Sequence, residues 1–212
     1  MAQATKIAIL GAGNVGGNLG ERLSRAGFPV RFGVREGADV KELLARCPGA
    51  SAAGLKEAAA WADAVFIAVP AGAALDAARA AGDLAGKVVI DCNNPLRWED
   101  GPVWAPPPEG SLTAALAKAL PGARVIKAFN TFGAEFHKDP KVGDAAADVQ
   151  IAGDDAAARA EVAKIAAEAG YSPVDAGPLR NAAVLENLAV LWIHLAMKGG
   201  QGRGVVFKLL KR

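Results

Sequence analysis

The chain has 212 residues, 52% hydrophobic and 22% charged, enough to bury the core of one large domain or of a domain with a smaller appendage. A formal net charge of +2 lies too near balance to argue for nucleic acid or an anionic membrane surface as partner. Cys47 and Cys92 share no CxxC spacing and build no disulfide framework, which fits a reducing, cytoplasmic setting.

The opening "MAQATKIAIL" runs straight into a glycine and is expected to carry no signal peptide. Residues 6–10, "KIAIL", have the apolar character of a buried parallel strand. "GAGNVGG" interrupts the run, and Val15, Leu19 and Leu23 then recur every four residues on one helical face, with Gly27 as the stop. "PVRFGV" reads as a second strand, "VKELLARC" as a helix and "GASAAG" as a weak third strand. A fourth strand is expected in "ADAVFIAVP" (62–70), an Ala-rich helix in "GAALDAARAAGDLAG", and a fifth strand in "KVVIDCNNP" (87–95).

Residues 95–110, with five prolines and two tryptophans, read as one long loop, either a rigid surface connection or a lid. Ser111 then caps a helix through Leu120, and "ARVIKAFN" (123–130) supplies a sixth strand. Beyond it come a strand in "ADVQIAG", a helix over 155–169, a strand in "YSPVDAGPL" and a helix over about 181–198. That last segment is interrupted by Glu186, Asn187, His194 and Lys198, so it is too polar to span a bilayer. Alternating strands and helices predict an α/β, Rossmann-type doubly wound, mainly parallel sheet. The division expected is a dinucleotide-binding unit over 1–140 and a smaller C-terminal part over 141–212 that completes a substrate cleft.

Gly11, Gly13 and Gly16 spell G-x-G-x-x-G between a strand and an amphipathic helix. The glycines would supply a tight turn, room for a pyrophosphate and close helix–strand packing. Gly11, Ala12, Gly13, Asn14 and Val15 thus form the loop and helix start expected to hold a diphosphate. An NAD site usually ends its second strand with an acid for the ribose hydroxyls, whereas arginine there attracts the 2′-phosphate of NADP. Here Val34 and Arg35 follow "VRFG", which favours NADP, with Glu36 as the ribose ligand if the turn is shifted.

The blocks "KIAILGAGNVG", "ADAVFIAVP", "KVVIDCNNP", "VIKAFNT", "DAGPLRNAAVLENLA" and "GGQGRGVVFKLL" resemble, in this order, the NADP oxidoreductases dependent on the deazaflavin coenzyme F-420. A related domain occurs in eukaryotic membrane metalloreductases, which pass electrons from NADPH to flavin. The resemblance implies hydride transfer between NADP(H) and a deazaflavin or a flavin (FMN or FAD). It places Arg35 on the 2′-phosphate, and the nicotinamide near Ala68, Val69 and Pro70 and near Asn93. The second ring would then lie in a cleft walled by Asn130, Thr131, Phe132 and C-terminal elements. Val34 stands where the family's phosphate-binding serine is expected.

Hydride transfer between stacked rings needs alignment more than acid–base groups, and the chain has few to offer. His137, in "FHKDP", is expected in a solvated loop, and His194 in a core or interface; no metal-ligand spacing appears. Lys127 and Asn130, three apart on a predicted strand, are expected on opposite faces, with Lys127 structural and Asn130 holding a carboxamide or ring carbonyl. Asp175 and Arg180 bracket "AGPL" as an ion pair or as a contact to an acidic substrate tail. Leu185, Leu188, Trp192 and Leu195 share a face of the last helix, which packs on the sheet or pairs subunits; a homodimer is expected, chiefly from the resemblance. Two other functions stay open: an NADP-dependent dehydrogenase of a small carbonyl or imine, and a non-catalytic NADP(H)-sensing module. No nucleic-acid or membrane partner is expected.

Overall fold

A computed structural model describes residues 4–210 and 212. The elements in chain order begin with β1 (Ile7–Leu10), α1 (Asn14–Arg25), β2 (Val30–Val34), α2 (Lys41–Arg46), β3 (Ser51–Gly54), α3 (Leu55–Trp61) and β4 (Ala64–Ile67). α4 (Ala74–Ala80), β5 (Val88–Asp91), the hairpin β6 (Leu96–Trp98) and β7 (Pro102–Trp104), α5 (Leu112–Ala119) and β8 (Arg124–Lys127) follow. The chain closes with the short pair β9 (Lys141–Val142) and β10 (Ala145–Ala146), then β11 (Asp148–Ala152), α6 (Ala156–Glu168), β12 (Ser172–Gly177) and α7 (Ala182–Met197).

Eight strands form one sheet in the order β12-β11-β8-β5-β4-β1-β2-β3. The six from β3 to β8 are parallel and reproduce the doubly wound arrangement. β11 joins β8 antiparallel, and β12 runs parallel to β11. The central strands β1, β4 and β5 are buried residue for residue, so they must be apolar throughout rather than alternating. Two apolar layers follow. Ile7, Ile9, Phe66 and Ile90 face one side with Leu19 and Leu23 of α1, and Ala8, Leu10, Val65 and Val89 face the other with α3, α4 and α5. Burying each such leucine, isoleucine or phenylalanine is worth about 1.5–3 kcal/mol.

The helix starts follow local chemistry. Ser111 Oγ accepts from Ala114 N at 3.0 Å and Asp155 Oδ1 from Ala158 N at 2.9 Å, capping α5 and α6. The Ala-rich segment is α-helical over Ala74–Ala80, after one 3-10 turn at Ala71–Ala73, and Gly82 at φ +83 ends it. The short helix α3 was not legible from periodicity. The 95–110 segment, expected as one long loop, contains the β6–β7 hairpin: Ala105 N donates to Pro95 O at 2.8 Å, and Lys198 pairs with Asp100 at 2.9 Å. No helix among the described residues is long and apolar enough to cross a membrane.

Candidate cofactor and hydride-transfer site

Strand register sets the site. Leu10 lies level with Gly33 and Ile67, Ile67 with Asp91, and Asp91 with Lys127. The residues that follow, Gly11, Val34, Ala68, Cys92 and Ala128, therefore form one crest at the carboxyl ends of five parallel strands. The chain winds away from β1 in opposite directions, with β2 on one side and β4 on the other. Open α/β sheets bind ligands in the crevice at that switch point.

The crevice has the features that a diphosphate site needs. Gly11 sits at φ +110, and a Cβ there would press on the Ala68 carbonyl, so the turn and its close approach to β4 both require glycine. A Cβ on Gly16 would collide with the Gly11 carbonyl and approach Ala68 Cβ to 3.2 Å, so this glycine serves helix–strand packing. Gly13 differs: a Cβ there meets nothing within 4 Å, and its φ of −77° suits any residue. The fold itself places no steric demand for glycine at 13, which leaves the backbone there open to close approach by a ligand. Gly13 is also the N-cap of α1 and offers no side-chain cap, and no acid stands in the first turn. The helix start thus presents free N–H groups and an uncompensated positive dipole end. These features fit the dinucleotide diphosphate, with Ala12, Asn14 and Val15 completing the loop.

Arg35 follows β2 directly, is exposed, and enters no ion pair among the described residues, while Val34 is half-buried. Glu36 is exposed beside it. Ala68 and Val69 are half-buried and Pro70 exposed at the end of β4, across from Gly11.

At the ends of β5 and β8 lies a buried polar cluster. Asp91, Thr113, Lys127 and Glu186 are all 0% exposed. Lys127 Nζ donates to Asp91 Oδ2 at 2.9 Å, lies 3.4 Å from Glu186 Oε1, and donates to the Asn93 carbonyl. Asp91 is saturated: Oδ1 accepts from Asn93 N and Asn93 Nδ2, both at 3.0 Å, and Oδ2 also takes the Thr113 hydroxyl at 2.7 Å. Glu186 accepts from Trp104 Nε1 at 2.8 Å and Leu112 N at 2.9 Å. Charges so deeply buried persist only when paired and hydrogen-bonded on all sides. This agrees with the structural role expected of Lys127.

The expectation that Lys127 and Asn130 face apart is overturned. β8 ends at Lys127, and Phe129 takes φ +59, the left-handed region. That turn ends the strand alternation on which the expectation rested. Lys127 and Asn130 instead reach adjacent residues of the same two segments: Lys127 meets Asn93 and Glu186, while Asn130 Nδ2 donates to Asn94 Oδ1 at 2.8 Å and Leu185 O at 3.1 Å. Asn94 Nδ2 returns a bond to Asn130 O at 2.9 Å, locking the two turns together. Asn130 Oδ1 is buried without a partner.

Asn130, Thr131 and Phe132 are all buried. Thr131 Oγ1 donates to Gln150 Oε1 at 2.6 Å. Phe132 stacks on Tyr171 at 5.9 Å within a cluster that includes Phe129, Phe136 and His137. His137 is not solvated: it is 1% exposed, its Nδ1 is 3.2 Å from Tyr171 Oη, and burial pushes its pKa down to about 4. Burial likewise pushes the Tyr171 hydroxyl and the Cys92 thiol up, so neither ionises near neutrality. The cluster bears on α1, since Asn18 Nδ2 donates to Ala134 O at 3.0 Å. His194 is exposed rather than buried in the core. Asp175 pairs with Arg159 at 2.9 Å and accepts from Gly177 N at 2.8 Å, so its partner is not Arg180.

The crest thus gathers the residues expected to hold the cofactor, from the glycine loop through Arg35 and Ala68–Pro70 to Asn93. Sequence reasoning missed Asp91, Thr113, Trp104 and Glu186. Two signals existed: an aspartate closing an apolar strand, and a glutamate within the apolar run of α7.

A family profile described as NADP oxidoreductase, coenzyme F420-dependent, matches residues 6–95. A solved protein from Arthrobacter sp. FB24, described as a candidate F420-dependent NADP-reductase, is 32% identical and superposes with a TM-score of 0.87 over 98% of this chain and 100% of its own. Rat metalloreductase STEAP3 is 31% identical over 186 residues, 87% of this chain but 36% of the metalloreductase. This chain therefore spans about a third of the length of that curated relative. A reductive aminase from Aspergillus terreus, solved with NADPH and ethyl levulinate, is 20% identical with a TM-score of 0.69 over 93% of this chain and 64% of its own, a likeness of fold. Matched over residues 6–95 by the profile and over 98% of its length by the Arthrobacter protein, the chain belongs to the family of coenzyme F420-dependent NADP oxidoreductases.

Proposed function

We propose that the protein transfers hydride between NADP(H) and the ring of a deazaflavin of the coenzyme F420 type or of a flavin. One observation carries the reading: the crest offers a cradle for the dinucleotide and walls tied by side-chain hydrogen bonds, but no free acid–base side chain among the described residues. Asp91, Lys127 and Glu186 are spent on one another, and His137 is sealed among aromatic rings. Reduction of a carbonyl or a neutral imine gains about 10²–10⁴-fold from a positioned acid, whereas ring-to-ring hydride transfer depends chiefly on two faces held about 3–3.5 Å apart with water kept from between them, the reduced ring staying anionic or taking its proton from solvent.

Gly11, Gly13 and the first N–H groups of α1 would hold the diphosphate, and Arg35 the 2′-phosphate. Ala68–Pro70 and Asn93 would border the nicotinamide, and Asn130–Phe132 would form the wall on the acceptor side. Bound NADPH supplies a hydride at the nicotinamide ring. The protein's part is alignment: the reciprocal Asn94–Asn130 amide pair holds the two turns in one relation. We also propose a homodimer through the outer face of α7, where Val184, Leu191 and Met197 are exposed.

The test is anaerobic NADPH oxidation with coenzyme F420, FMN, FAD and riboflavin in parallel, and a ketone–amine mixture as a separate arm. Turnover of a ring acceptor is expected. Tight NADPH binding with turnover only of the imine, or of nothing, would overturn the proposal in favour of an imine reductase or a sensing module.

A further inference from the structure

We infer that Glu186 is a positioning residue for hydride transfer, the junction through which α7 and the β6–β7 hairpin fix the Asn93–Pro95 turn. The inference rests on the proposed location of the nicotinamide beside that turn. Glu186 lies in α7 and is 0% exposed, yet its carboxylate gathers three elements from elsewhere in the chain. Oε2 takes the Trp104 indole N–H of the hairpin at 2.8 Å. Oε1 takes the first N–H of α5 at 2.9 Å and lies 3.4 Å from Lys127 Nζ.

Lys127 carries the constraint onward, because the same ammonium donates to the Asn93 carbonyl and to Asp91. Asp91 in turn holds both nitrogens of Asn93. The hairpin begins one residue past Pro95, and Leu185 beside Glu186 accepts from Asn130. Both walls proposed for the hydride path are therefore tied to one turn of α7. A carboxylate suits the junction because all three partners are donors and none can accept.

Glu186→Gln keeps the length and one acceptor oxygen, but its amide N–H must face a donor, either Trp104 or the Leu112–Lys127 pair. One arm must open. Trp104→Phe opens the hairpin arm alone and leaves the buried charges paired.

Amide hydrogen exchange of the unliganded protein is measured for both variants together with NADPH binding. For both, exchange over residues 93–105 is expected to rise at least tenfold, with NADPH affinity held within about threefold by the glycine loop. With the acceptor that the wild type turns over, kcat is expected to fall at least tenfold while KM for NADPH changes less than threefold. A primary deuterium isotope effect from 4-deuterated NADPH should emerge as hydride transfer becomes limiting. Unchanged exchange at 93–105, or a kcat lost only in proportion to unfolded protein with the isotope effect unaltered, would overturn the role of Glu186. If no ring acceptor is turned over, the function reading fails separately. Exchange then still decides: NADPH should protect 93–98 in the wild type and lose that protection in Glu186→Gln, and equal protection in both would overturn the inference.

Discussion

Between pH 6.5 and 5, acid should destabilise this protein chiefly through His137. Its ring is 1% exposed and lies 5.1 Å from Phe132 and 6.4 Å from Phe129. Burial holds its folded pKa at about 4 against an ordinary 6.5, with Glu135 opposing only in part. Because the folded value is depressed, the unfolded chain takes up the proton first. The stabilisation is fully present above pH 6.5 and is lost as pH falls from 6.5 toward 4. At 1.36 kcal/mol per pH unit the whole loss is about 3 kcal/mol, of which about 2 kcal/mol has gone by pH 5.

Urea unfolding at pH 7.5, 6 and 5, followed by tryptophan fluorescence, reads this directly. His137→Phe fills the same ring pocket but leaves the buried Tyr171 hydroxyl without its partner, costing about 1–3 kcal/mol at pH 7.5. The variant should start lower and stay flat to pH 5, so that the two curves converge. Glu135 and Asp175, held below ordinary carboxylate values by Arg203 and by the Gly177 N–H respectively, lose their contributions only at more acid pH. A His137→Phe variant that keeps the wild-type slope between pH 6.5 and 5 would refute the reasoning.

The glycine cradle separates ligand from fold. Gly13→Ala should cut NADPH affinity at least tenfold, about 1.4 kcal/mol, yet leave unfolding within about 1 kcal/mol of wild type. Gly16→Ala, whose methyl group meets the Gly11 carbonyl, should itself destabilise by about 1–3 kcal/mol on a urea curve. Arg35→Ala should weaken NADPH binding by about 1–3 kcal/mol and leave NADH nearly unchanged in titrations; equal losses would show that it does not read the phosphate. Leu191→Glu, on the exposed face of α7, should convert the proposed dimer to monomer by light scattering while the unfolding midpoint of the monomer is retained.

Much of the framework is written locally. The apolar runs of β1, β4 and β5, the glycine fingerprint, Ser111 and Asp155 as caps, and Gly27 as a stop each act within a few residues of themselves. Short-range sterics and hydrogen bonding then suffice to place them. The choice of arginine over an acid after β2 is equally visible, since it is one side chain at one strand end. What only the tertiary structure decided is pairing at a distance. Asp91, Lys127 and Glu186 are 36 and 59 residues apart along the chain, and nothing local says that each makes the others' burial tolerable. Phe129 in the left-handed region turned Asn130 toward the residues next to the partners of Lys127, Asn94 and Leu185, against the alternation its neighbours suggest. His137 looks solvated beside lysine and aspartate, yet Phe129, Phe132 and Tyr171 close around it from 34 residues away and nearer. Period and turn chemistry are properties of a segment, whereas charge pairing and desolvation belong to whatever the folded chain brings beside it.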